Sequence, residues 1–379
     1  MKEKGYNIDK MSGKRIKSGG KINNMKNLKR KIFLAASVAV LSTVVLGGCG
    51  KLNDSEVVAE VGEDKITAGV ANFYARMQQA QFETYYSGFM GDNMWETELS
   101  DGVTYESQVK DTLIENLENM YLMEDHMKDY NVELSKEEKE KITSAAKDFV
   151  ENNALADKEI VSGDEENVER VLTLLTIQNK MEPAMKSGVD ENVTDEEAAQ
   201  KQMEYVTFSY TKTGTDGTTS AMTDDEKALV KETAQNFVNQ LQAAGNTDLD
   251  AAAQEAGLEV QTATFDSDST SPDADVVKAA DSMEEGQVSD LIETDSGCYV
   301  VKLTSLLDRE ATDAKKPEIV EQRKTDQYDS LLKKWKKDTT VKLHKKVWEK
   351  ISFIDQGVTL KQEEEEDYAV GSDQNATNN

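Results

Sequence analysis

The hydrophobic period of this 379-residue chain changes between two prolines, and that change constrains the fold more than any single motif. From Thr67 to about Met185 apolar residues recur at helical spacing: Val109, Leu113, Leu117 and Met120 form one stripe. Ile142, Ala145, Ala146 and Phe149 form a second, and Val168, Val171, Leu172 and Leu175 a third. From Met203 to Lys212 the pattern alternates, as a half-buried strand requires. Pro183 and Pro317, two of only three prolines, bracket the switch and mark the approximate domain edges.

Inside that bracket the order of elements reads β-α-α-β-α-β-β, and the chain as a whole reads as an α+β protein. After the strand at Met203, Val230, Ala234, Phe237 and Leu241 mark a helix ending near Gly245, and Leu249 to Ala256 a second one closed by Gly257. Leu258 to Phe265 is strand-like, Val276 to Met283 a short helix, and Gly286 to Ile292 and Cys298 to Leu303 two closing strands. Thr67, Ser135, Thr194 and Thr223 stand where helix caps are expected, the last three with a glutamate three residues on. Val57 to Ile66 reads as a strand with a tight turn. Beyond Pro317, Ile319 to Lys337 is a charged amphipathic helix, and Val341 to Trp348 a strand or a further helical turn.

The first 48 residues carry a different message. Lys26, Lys29, Arg30 and Lys31 precede an uncharged run, Ile32 to Leu46, too short to span a bilayer comfortably. It reads as a signal peptide starting at Met25, with residues 1–24 an upstream extension. The run ends in Leu46, Gly47, Gly48 and Cys49, which resembles the lipobox of bacterial lipoproteins; the resemblance implies a lipid on Cys49 and a place on the outer face of a bacterial cell membrane. Without residues 1–48 the chain keeps 33 basic against 71 acidic residues, which excludes nucleic acid as a partner and suits cationic, partly unfolded polypeptides. With Cys49 lipidated only the Cys298 thiol remains, so no internal disulfide is expected. His126 and His344 lie far apart with no Cys or carboxylate at ligand spacing, so neither a metal nor any other cofactor is expected.

Glu284-Glu285-Gly286-Gln287-Val288-Ser289, then Ser296-Gly297-Cys298-Tyr299-Val300-Val301-Lys302-Leu303, resembles the closing segment of parvulin-type peptidyl-prolyl isomerases. The layout is similar to PrsA and SurA foldases: Val58-Ala59-Glu60-Val61-Gly62 and Ile66-Thr67 match their N-terminal segment, and Tyr328 to Ile354 their returning segment. The resemblance implies a tether at residues 49–56, a helical chaperone lobe at 57–200, a parvulin-like domain at 201–308 and a returning helix at 309–354. Residues 355–379, acidic and poor in apolar groups, are expected to form a disordered tail.

In that family an apolar pocket holds the proline ring, and two histidines with a Cys or Asp surround the twisting amide. Matched on the motif Thr207-Phe208-Ser209-Tyr210, Phe208 stands at the first histidine and Tyr299 at the second; Val276 takes the place of the pocket phenylalanine and Met283 survives. The pocket candidates are therefore Phe208, Tyr210, Val276, Met283 and Tyr299. Strand alternation points Cys298 away from Tyr299, into the core. The lobe offers Phe82, Tyr85, Tyr86, Phe89, Met90 and Trp95 as a surface for unfolded secreted clients. Three functions are open: a membrane-tethered chaperone with a degenerate parvulin domain, a working prolyl isomerase, or an interaction or solute-binding lipoprotein on the same scaffold. A homodimer is compatible with each.

Overall fold

A computed structural model describes residues 52–360, apart from residue 92, residues 215–216 and residues 244–247. The expected signal peptide, the lipobox residues Leu46, Gly47 and Gly48, Cys49 and the tail beyond Leu360 lie outside the described residues. The chain forms two compact units: one from the segment up to Met185 together with Asp329 onward, the other from Lys186 to Tyr328.

The first unit begins with β1 (Val57–Val61) and β2 (Asp64–Thr67), turned at Gly62, whose φ of 59° is a conformation glycine adopts without a Cβ clash. The Thr67 hydroxyl caps α1 (Ala68–Met90) by accepting from Val70 N. Then come the hairpin β3 (Glu98–Ser100) and β4 (Val103–Thr104), α2 (Tyr105–Asp125), α3 (Lys136–Asn152), α4 (Leu155–Val161) and α5 (Glu165–Met185). Helix α5 packs on α1, α2 and α3. The predicted stripes meet there: Leu117, Met120, Phe149, Val168 and Val171 are buried, and Phe73 and Phe149 pack edge to face, centroids 5.1 Å apart. The capping box at Ser135 and Glu138 forms as the spacing requires. After the other unit the chain returns with β11 (Val341–Leu343), which pairs with β1 in a sheet ordered β11-β1-β2, and α10 (Lys345–Trp348).

The second unit holds β5 (Lys201–Ser209), a hairpin of β6 (Thr211–Thr213) and β7 (Thr219–Ala221), α6 (Asp224–Ala243), α7 (Leu249–Ala256), β8 (Gln261–Phe265), α8 (Ala274–Asp281), β9 (Ile292–Glu293) and β10 (Gly297–Ser305). Four strands make an antiparallel sheet ordered β8-β5-β10-β9. This is the expected β-α-α-β-α-β-β order with one added hairpin. It also places Cys298 in the core, as alternation required.

Several expectations need correction. Residues 286–291, read as strand, run beside β10 without a regular ladder. Gly286 at φ 82° is the third residue of a turn closed by Gln287 N–H on Glu284 O at 3.0 Å, and the Val288 to Lys302 bridge is isolated. Pro317 does not break the chain but lies inside α9 (Arg309–Asp338), a helix that contributes to both units, which change over at Tyr328. The turn before the proline is held by Asp195, whose carboxylate meets Arg309 at 2.5 Å and Lys316 at 2.6 Å. Those two cations hold the Asp195 carboxyl down at about 2. The same grip by residues 190–197 explains why the unit reaches beyond 201–308. Glu197 N–H still bonds to Thr194 Oγ1 at 3.2 Å, but that box caps only a turn. Finally, the packed chain does not stop at 354, since Val358 is fully buried and Leu360 N–H donates to Thr84 Oγ1 at 2.8 Å.

Candidate functional site

In the second unit the sheet has two covered faces, and its register decides which side chains can cooperate. Along the antiparallel β5 and β10 pair, Phe208 lies opposite Cys298 and Thr207 opposite Tyr299. Because strand side chains alternate, Val206, Phe208, Cys298 and Val300 point to one face, packed under α6 and α7 with Phe237 and Leu241. Met203, Tyr205, Tyr299, Val301 and Leu303 point to the other, packed with Val276, Val277 and Ala280 of α8 and with Met283.

The five pocket candidates are thus divided by the sheet. Val276, Met283 and Tyr299 come together, whereas Phe208 belongs to the opposite face. Tyr210 joins Phe208 there, its hydroxyl 3.2 Å from Glu293 Oε1 and 3.1 Å from Cys298 Sγ. Burial, then contact with Cys298 and Glu293, pushes the Tyr210 phenol above its ordinary value. The residue that faces Tyr299 is Tyr205, with ring centroids 6.2 Å apart. Motif matching at 207–210 missed it. Counting the alternation of β5 from the buried Met203 places it at once.

Residues 200–316 contain no histidine at all, and on this face two tyrosines, Tyr205 and Tyr299, lie close together. Burial, with Tyr299 beside it, raises the Tyr205 phenol above its ordinary value, so at neutral pH it can only donate its proton in a hydrogen bond or accept one. The Tyr299 hydroxyl is 3.1 Å from Ser296 Oγ and so has a partner within the fold. Such a face, made of tyrosine, methionine and aliphatic side chains, can hold a ring by shape.

The six client candidates of the first unit divide as well. Trp95 is a core residue, 4% exposed, stacked on Tyr105 at 5.4 Å, tilted against Phe353 at 4.9 Å and donating to Glu83 Oε1 at 2.9 Å. Phe82 is half-buried and touches Trp95, Tyr86 and Tyr105, forming the base of an aromatic cluster. Tyr85, Tyr86, Phe89 and Met90 are exposed on the last turns of α1, Phe89 at 92% and Tyr85 at 68%. Leu99 and Val103 of the β3 and β4 hairpin, which the sequence reading passed over, are exposed too. Tyr105 N–H closes that hairpin onto Thr97 O at 2.8 Å, so both elements rise from the same aromatic base.

The profile of the PPIC-type PPIASE domain matches residues 200–316. Among solved structures, the foldase PrsA of Lactococcus lactis is 14% identical over 79% of this chain and 100% of its own, with a TM-score of 0.30. PrsA of Streptococcus pneumoniae is 23% identical over 69% of this chain and 99% of its own, TM-score 0.26. A SurA-like chaperone structure from Campylobacter jejuni is 10% identical over 76% and 98%, TM-score 0.27. No curated protein matches the chain. Sheet order, helix placement and profile agree on the second unit: the chain carries a PPIC-type, parvulin-like domain, inserted between the two segments that build its helical unit.

Proposed function

We propose that this chain is a membrane-anchored, extracytoplasmic foldase that holds unfolded secreted polypeptides through the exposed end of α1, while its PPIC-type domain has little or no isomerase activity. The observation that carries the reading is the group of four large apolar side chains, Tyr85, Tyr86, Phe89 and Met90, left uncovered on one helix end. A contiguous apolar surface of this kind on a strongly acidic chain is a binding surface rather than an accident of packing. Supporting the second half is the lack of any histidine in residues 200–316, with Phe208 and Tyr299 at the positions the resemblance gives to the family's two histidines. The anchor rests on Leu46, Gly47, Gly48 and Cys49.

Suppression of the aggregation of a chemically unfolded secretory protein by the full chain tests the reading. Each aromatic buried on binding contributes about 1.5–3 kcal/mol, so Tyr85→Ser with Phe89→Ser is expected to weaken holding at least about tenfold. Isomerisation of a proline peptide by the same chain is expected to stay near the uncatalysed rate, which takes tens of seconds. A catalytic rate that disappears in Tyr205→Phe or Tyr299→Phe would restore the isomerase reading. Holding that is untouched by the double variant would remove the chaperone surface.

A further inference from the structure

The end of α1 and the hairpin beside it are unusual in charge as well as in apolar exposure. Between Arg76 and Lys110 the sequence contains no Lys or Arg and six acidic residues. Two of these face inward: Glu83 accepts from Gln79, Trp95 and the Val358 N–H, and Glu106 from the Phe353 N–H. Glu96, Glu98 and Asp101 are exposed, on the same short stretch as the exposed Leu99 and Val103. Among the described residues none of these three carboxylates forms an ion pair, and the single hydrogen bond to Glu98 comes from the Gly102 N–H at 3.0 Å. The apolar surface is thus edged by negative charge that the fold leaves uncompensated.

We infer that the occupant of this surface is an unfolded polypeptide segment in which bulky apolar residues are interspersed with Lys or Arg. The inference rests on the chaperone reading given above and names the class of client it takes. Aromatic and aliphatic client side chains bury against Tyr85, Tyr86, Phe89 and Met90, and the flanking cations meet Glu96, Glu98 and Asp101. A segment flanked by Asp or Glu places like charges side by side and is rejected, so the surface discriminates by repulsion as well as attraction. The long-range field of an acidic chain also draws cationic segments in faster.

Two labelled peptides of identical apolar content, one with Lys at the intervening positions and one with Glu, test this by fluorescence anisotropy with the full chain. At low salt the Lys peptide is expected to bind about tenfold or more tighter, the sum of three modest surface pairs. The gap is expected to close toward 1 M salt, where the screening length falls to about 3 Å. Glu96→Gln with Glu98→Gln and Asp101→Asn should weaken only the Lys peptide, whereas Tyr85→Ser with Phe89→Ser should weaken binding of both. Equal, salt-insensitive binding of the two peptides, still lost in the aromatic variant, would overturn the charge selection and leave the chaperone reading standing. Failure of both peptides to bind would overturn the two together.

Discussion

Arg76→Ala is expected to lower the stability of the helical unit by about 3–5 kcal/mol, the range for removing one partner from a buried charged cluster. Arg76 is 6% exposed, and its guanidinium reaches in three directions. Its Nε donates to Asn72 Oδ1 at 3.2 Å, and Nη1 donates to Gln79 Oε1 at 2.6 Å and to Gln356 O at 3.0 Å. Gln79 in turn donates to Glu83 Oε1 at 2.7 Å and Gln356 O at 2.7 Å, and Glu83 receives Trp95 and the Val358 N–H. Burial pushes the Arg76 guanidinium down to about 10, opposed by Glu83, Glu106 and Asp355. The group therefore stays charged at neutral pH, and its loss strands acceptors that water cannot reach. All three tryptophans, Trp95, Trp335 and Trp348, belong to this unit, so the urea midpoint read by tryptophan fluorescence isolates the effect. Arg76→Lys should recover less than half, because an ammonium cannot span the fork. A loss below about 1 kcal/mol would mean that the cluster does not hold Phe353 to Leu360 onto α1.

Gly297→Ala is expected to cost the PPIC-type domain about 3 kcal/mol or more. A Cβ at this position would lie 2.4 Å from Phe208 O and 3.1 Å from Ser209 Cα, both main-chain atoms of the neighbouring strand. No side-chain rotation relieves that contact, so β10 must shift away from β5 at the Gly297 to Ser209 pair and lose ladder bonds on both sides. Hydrogen exchange checks it directly: amides of β5 and β10 should lose protection together while those of α1 and α5 keep theirs. Unchanged protection of β5 would show that the sheet absorbs the methyl group.

How far the sequence reaches depends on whether neighbouring residues alone decide a feature. The helices came through because their stripes repeat over several turns, and Thr67 was legible because capping is a three-residue affair. Pro317 gave no sign that the helix runs on through it to Asp338, nor that Asp195, more than a hundred residues away in the chain, pairs with Arg309 and Lys316 just before it. Trp95 looked like a client residue for a similar reason, since its burial depends on Phe353 arriving from the far end of the sequence. The parvulin-like order of elements was readable, but which pocket candidates share a face of the sheet was not. Matching the motif at 207–210 could not show that the sheet separates Phe208 from Tyr299, or that Tyr205 and Tyr299 pack on one face with centroids 6.2 Å apart. The hairpin residues Leu99 and Val103 gave no sequence signal, being two isolated apolar residues among polar ones.

The central claim, that clients are held at the end of α1 and not on the PPIC-type domain, is tested most directly by site-specific photocrosslinking of the full chain to an unfolded secretory protein. A benzophenone amino acid replaces Phe89 in one sample and Leu229 of α6, also exposed at 64%, in another. Client is expected to crosslink strongly from position 89 and only at background from position 229. Equal crosslinking from both positions, or crosslinking from 229 alone, would contradict the claim.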